Sequence, residues 1–262
     1  MEGPSSHEVA AGGLTFHYLE QGKGQPLILL HGGLATAEMS WNECMPELAK
    51  TYRVLAPDSR GHGGTDNPAQ KLSYSQMADD LAAFIAALGV EQPLIFGYSD
   101  GGQIGIEFGI RHPNQAKALV LGGTLSERTD AYVDGLHKWG FPAPGEVDFE
   151  RLATQFGAFA ETIKVSHGKK EDPDYWRRFL PQISELWLTL PSYSEAQIAS
   201  IAVPTLVIMG DRDDMAGGLG QAQRLYRHLP KGELAIVPDA DHGAIQKPVF
   251  WALVREFLAR QM

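Results

Sequence analysis

A hydroxyl, an imidazole and a carboxylate form a nucleophile with its base when the fold brings them together. This sequence holds one hydroxyl in a setting suited to that role. Gly97, Tyr98, Ser99, Asp100, Gly101 and Gly102 are consecutive, after Leu94, Ile95 and Phe96 and before Ile104 and Ile106. The spacing G-x-S-x-G fits a sharp turn from a strand into a helix, where small neighbours let the backbones approach. Such a turn lifts the serine hydroxyl above the sheet edge, at a helix N-terminus with its partial positive charge and N–H groups.

A serine hydroxyl is a weak nucleophile without a base. In this arrangement the carboxylate and the histidine follow the serine in chain order. Of nine histidines, only His228 and His242 follow the last candidate carboxylates. His228 lies in a polar helical stretch ending at Pro230 and reads as a surface residue. His242 lies in the loop 238–243 after an apolar strand and is the expected base. The acid should also follow a strand. Asp211, Asp213 and Asp214 come just after residues 205–209. Asp213 is the first choice and Asp211 the second; Asp214 caps the next segment or is solvated. This acidic cluster lacks the ligand spacing of a calcium loop, and no metal site is expected.

An acyl-transfer site also needs N–H donors for the oxyanion. The amide of Asp100 is one, and the loop of His31, Gly32, Gly33 and Leu34 supplies the other, from Gly33 first or Leu34 second. The side chain of Asp100 has two readings. An acidic residue in a helix's first turn complements the helix dipole by about 0.3–1 kcal/mol. The other reading concerns substrate charge, with the carboxylate pointing inward beside Leu34.

These residues need a scaffold. Apolar runs at 26–30, 52–56, 94–96, 118–121, 205–209 and 233–237 read as buried strands. Between strands, residues 74–88 carry apolar groups at helical spacing, with Ser73 or Ser75 to cap the start and Gly89 to end it. Alternating strands and helices predict an α/β fold with a mostly parallel central sheet and helices on both faces. From residue 126 to 201 the alternation stops. Helical patterns at 148–165 and 174–190, rich in aromatics, read as an inserted lid, some of whose aromatics line a pocket. The expected organisation is therefore a core of residues 1–125 and 202–262 with a helical cap of residues 126–201.

Bulk composition agrees with one large domain or a core with an insertion. The 262 residues are 44% hydrophobic and 21% charged, with a net charge of -10. The acidity argues against nucleic acid or an anionic membrane as partner. The single cysteine, Cys44, reads as a packing residue, and its isolation points to a reducing, cytoplasmic compartment. There is neither a signal-peptide pattern at the start nor an apolar run long enough to span a membrane.

Taken together, HGG at 31–33, Trp41, DSRGHGGTDNP at 58–68, GYSDGG at 97–102, IAVPTLVIMGDRDD at 201–214 and PDADHG at 238–243 resemble the α/β-hydrolase superfamily. The resemblance runs from about residue 14 to 258 and is weakest across the lid. It implies an ester-sized pocket under a lid and no cofactor. It also implies Asp213 and His242 at the acid and base positions, and structural roles for His31 and His62. Ser59 stands where relatives often carry Leu, Met or Ala. Dehalogenases and epoxide hydrolases of this fold use an aspartate as nucleophile, so Ser99 argues against both. The elbow is similar to that of biphenyl-hydrolase-like enzymes such as valacyclovir hydrolase, which implies amino-acid esters as substrates. The leading expectation is a carboxylesterase-like serine hydrolase of small esters, with lactones also in reach. The alternatives are a lactonase, a carbon–carbon bond hydrolase of aromatic degradation, a cofactor-free perhydrolase or haloperoxidase, and a small-ligand receptor without turnover.

Overall fold

The computed structural model describes residues 3–168 and 172–262. Two strands, β1 (Ser5–Ala11) and β2 (Leu14–Gln21), open the chain. β3 (Gln25–Leu30) leads to short helices α1 (Ala37–Trp41) and α2 (Met45–Leu48), then to β4 (Tyr52–Pro57). After a loop come α3 (Tyr74–Ala87), β5 (Leu94–Tyr98), α4 (Asp100–Arg111) and β6 (Ala118–Gly122). Five helices follow: α5 (Asp130–Trp139), α6 (Phe149–Phe156), α7 (Ala158–His167), α8 (Tyr175–Leu188) and α9 (Glu195–Ala199). β7 (Thr205–Gly210), α10 (Leu219–His228), β8 (Gly232–Val237) and α11 (Pro248–Ala259) complete the described elements.

The strands form one sheet in the order β1-β2-β4-β3-β5-β6-β7-β8. β1 pairs antiparallel with β2, and β2 antiparallel with β4; the remaining pairings are parallel. The parallel strands are the six apolar runs of the sequence. They are uniformly apolar because helices cover both faces. Strand alternation divides them: Ile28, Leu30 and Ile95 pack in the cluster with α3 and α4, while Leu27, Leu29, Leu94 and Phe96 pack against Trp41, Phe250 and Phe257.

β1 and β2 were not among the expected strands. In β2 the buried Leu14, Phe16 and Tyr18 alternate with more exposed residues such as Thr15, and β1 is exposed except at Val9 and Ala11, so neither shows an apolar run. α3 follows the helical spacing closely, and the Ser73 side chain accepts the Gln76 N–H at 3.2 Å as its N-cap. The helix expected over 148–165 is broken at Gly157, whose φ of 51° and ψ of -127° end α6 and begin α7. α5 was not anticipated as a helix; it buries only Tyr132 and Leu136, too thin an apolar stripe to read.

The loop after β4 is held by charge. Arg60 makes two hydrogen bonds of 2.7 Å to Asp80 on α3, and both side chains are buried. Removing one member leaves an unpaired buried charge, which costs about 3–5 kcal/mol. Asp80→Ala is therefore expected to lower the urea unfolding free energy by about that amount. A loss under about 1 kcal/mol would mean that the guanidinium finds water in the fold.

Candidate active site

Ser99 follows β5 and precedes α4, with φ of 56° and ψ of -120°. A residue with a Cβ adopts this region only when its surroundings force it, at about 1–3 kcal/mol. The forcing groups are backbone. A Cβ on Gly97 would lie 2.0 Å from the Gly101 carbonyl oxygen, and one on Gly101 would lie 2.1 Å from that of Leu30. The Ser99 N–H donates to the Gly122 carbonyl at 2.7 Å, and the Ser99 carbonyl accepts from Gly102 at 2.8 Å. The half-buried serine lines a cavity of about 370 Å³.

His242 lines the same cavity from the loop after β8. Its Nδ1 lies 2.9 Å from each carboxylate oxygen of Asp213, which is completely buried after β7. A carboxylate facing Nδ1 places the ring proton there and leaves Nε2 as the basic nitrogen. Asp213 is itself anchored, its Oδ1 accepting the Ala216 N–H at 2.9 Å. Tyr98 holds the histidine loop to β5, its hydroxyl donating to the His242 carbonyl at 2.7 Å. The His242 ring bonds Asp213, and among the described residues no hydrogen bond joins it to Ser99.

The other sequence candidates lie elsewhere. Asp211 is exposed, and its Oδ1 accepts the Ala240 N–H at 3.0 Å, so it braces the histidine loop without reaching the ring. Asp214 is exposed. His228 on α10 lies 3.6 Å from Glu195 and does not line the cavity.

Gly33 and Leu34 line the cavity beside Ser99. The peptide between Gly32 and Gly33 is tied from one side. Its carbonyl accepts from His31 Nδ1 at 2.8 Å and from the Ala35 N–H at 3.1 Å. The Ser59 N–H donates to His31 Nε2 at 2.9 Å, which leaves Nδ1 as the nitrogen that carries hydrogen. Because a peptide is planar, the Gly33 N–H points away from those donors. His62 Nε2 lies 3.0 Å from the next carbonyl, that of Gly33. Burial pushes the pKa of His31 down and that of His62 well down. Sequence patterns mark these two histidines only as turn residues; their hold on the glycine loop is a tertiary contact.

The Asp100 side chain faces the cavity. A Cβ on Gly33 would lie 2.2 Å from its Oδ2, so only glycine fits there. Trp187 on α8 donates its indole N–H to the same oxygen at 2.8 Å. Burial pushes the Asp100 carboxyl up to about 6, against the opposing pull of Trp187, Tyr74 and His242. Tyr132, Trp139, Phe156, Phe159 and Trp187 are the aromatics of α5–α8 that reach the cavity. Phe141, Trp176 and Phe179 are buried in the packing among those helices. Trp187 and Tyr132 were not singled out as site residues beforehand, and their distance along the chain from Asp100 leaves no local signal.

The α/β-hydrolase fold model matches residues 25–246, and the chain belongs to that family. It is 30% identical to the 2-hydroxymuconate semialdehyde hydrolase of Pseudomonas sp. (strain CF600), over 96% of this chain and 93% of that one. It is also 30% identical to the 2-hydroxy-6-oxo-6-(2'-aminophenyl)hexa-2,4-dienoic acid hydrolase of Metapseudomonas resinovorans, over 97% and 90% of the two chains. Among solved structures, the meta-cleavage product hydrolase of Pseudomonas fluorescens IP01 matches with a TM-score of 0.79 and 25% identity, over 98% of each chain.

The Asp100 environment predicts a pH-dependent stability. Its carboxyl moves from the ordinary 3.8 to about 6 on folding. Between those values the folded chain binds more protons than the unfolded one, so this group lowers stability as pH rises through the window. Asp100→Asn removes that cost. Its urea midpoint is expected to exceed the parent's at about pH 7.5 and to lose that advantage near about pH 4. An advantage that is constant with pH would contradict the raised carboxyl pKa.

Proposed function

We propose that this protein is a serine hydrolase of small carboxylic esters that works through an acyl-enzyme, with Ser99 as nucleophile, His242 as base and Asp213 as its orienting acid. The observation that carries the reading is the His242 imidazole, held at Nδ1 by a fully buried carboxylate in the cavity that Ser99 lines. Ser99 Oγ attacks the carbonyl while His242 Nε2 takes its proton. The Gly33 and Asp100 amides hold the oxyanion; losing one such donor typically costs about 2.7–4 kcal/mol of activation free energy. His242 returns the proton to the leaving oxygen, and water attacks the acyl-enzyme by the same steps in reverse. Residues 126–201 act as a lid on a core of residues 1–125 and 202–262, since five of their aromatics line the cavity.

The cavity's charge narrows the substrate. Among the described residues its lining includes Asp100 and no lysine or arginine. A substrate ammonium about 4 Å from Asp100 would gain roughly 4 kcal/mol before desolvation at an effective dielectric near 20. The preferred substrates are therefore esters bearing an amino group, with neutral esters next. Hydrolysis of a carbon–carbon bond is the second reading, favoured by the names of the two relatives at 30% identity. Against it, a dienoic acid would bring its carboxylate into a cavity where no described residue supplies a lysine or arginine.

The test is steady-state hydrolysis of matched p-nitrophenyl esters with and without an α-amino group, with Ser99→Ala as the blank. The parent is expected to favour the amino ester by at least about tenfold, equivalent to about 1.4 kcal/mol. Asp100→Asn is expected to erase that preference while sparing the neutral ester. Equal losses on both esters would remove Asp100 from substrate recognition. Turnover of 2-hydroxy-6-oxo-dienoic acids without ester hydrolysis would establish the second reading instead.

A further inference from the structure

A second cavity of about 660 Å³ adjoins the first. Gly32, Ser40, Tyr98, Ile245 and Gln246 border both. Met39, Trp41, Glu43, Cys44 and Trp251 line only the second, and no residue of α5–α9 lines it. The shared wall stands against the nucleophile: a Cβ on Gly32 would lie 3.4 Å from Ser99 Cβ and 3.9 Å from its Oγ.

We infer that this second cavity is the leaving-group site, shaped for an uncharged alcohol that carries a ring. The inference rests on the ester reading above. Ester cleavage gives the two halves of the substrate different requirements. The acyl half stays on Ser99, in the cavity under the helices. The alcohol half departs on the side of His242, because that ring must protonate the leaving oxygen. Ile245 and Gln246 follow His242 closely in the chain and border both cavities, so the histidine side of the first cavity opens toward the second.

The lining selects the chemistry. Trp251 presents aromatic surface, with the fully buried Trp41 packed nearly perpendicular behind it at 6.4 Å, and Met39 adds a polarizable thioether. Ser40 and Gln246 offer hydrogen bonds to an alcohol's polar groups. Among the described residues Glu43 is the only charged one in the lining, so an anionic leaving group meets repulsion there.

The five tryptophans allow a test that is independent of turnover. Trp41 and Trp251 line the second cavity, Trp139 and Trp187 the first, and Trp176 lines neither. Benzyl alcohol titrated into the ¹⁵N-labelled Ser99→Ala protein is expected to shift the indole resonances of Trp41 and Trp251 and leave those of Trp139 and Trp187 in place. Shifts confined to Trp139 and Trp187, or no shifts at all, would overturn the assignment. In turnover, Glu43→Trp narrows the second cavity. It is expected to reduce the ratio of kcat/KM for a benzyl ester over the matched methyl ester by about tenfold, or about 1.4 kcal/mol. An unchanged ratio would overturn the assignment even if both esters are hydrolysed. If the parent hydrolyses neither ester while Trp41 and Trp251 still shift, the ester reading fails and the leaving-group role fails with it. The cavity's preference for alcohols would then stand as a separate finding.

Discussion

The arrangement depends on one crowded crossing of backbones where β5 turns into α4. Gly97 and Gly101 sit so close to neighbouring carbonyls that neither has room for a methyl group. That contact forces Ser99 into the left-handed region, a conformation no serine adopts at rest. The strain is offset by hydrogen bonds on both sides of the residue, from Gly122 and Gly102. The hydroxyl then stands at the start of α4, with the amide of Asp100 next to it. If the glycines were larger, the turn would open and Ser99 would lose its place in the cavity that His242 and Gly33 also line.

The other groups are fixed by buried polar contacts that decide protonation. Asp213 determines which nitrogen of His242 carries hydrogen, and the Ser59 amide does the same for His31. His31 in turn holds the peptide whose N–H belongs to Gly33. Each contact joins a loop at the carboxyl end of one strand to a neighbouring loop, the region where open parallel sheets build sites. Asp100 joins this set at a cost, since burial resists its charge and Trp187 relieves only part of that. A carboxylate retained under such conditions fits a role in recognition better than one in helix stability alone.

Much of this was legible in the sequence, for physical reasons. β5, β6 and β7 are buried along their whole length, so they read as apolar runs, and β3, β4 and β8 keep enough apolar residues to be read the same way. The turn around Ser99 announces itself through glycines that no other residue can replace. His242 and Asp213 were accessible because the motif order leaves few candidates, although only the fold separates Asp213 from Asp211. β1 and β2 were missed because one face of each is polar, and α5 because it buries little. The Trp187–Asp100 contact could not be read, since it depends on how α8 folds back over the sheet.

The most direct test of the nucleophile is covalent labelling with a fluorophosphonate, followed by peptide mapping. A single adduct on Ser99 is expected, with labelling slowed by at least about a hundredfold in His242→Ala, in line with the loss of a general base. An adduct on another residue, or a folded protein that stays unlabelled, would contradict the assignment of Ser99 as an activated nucleophile.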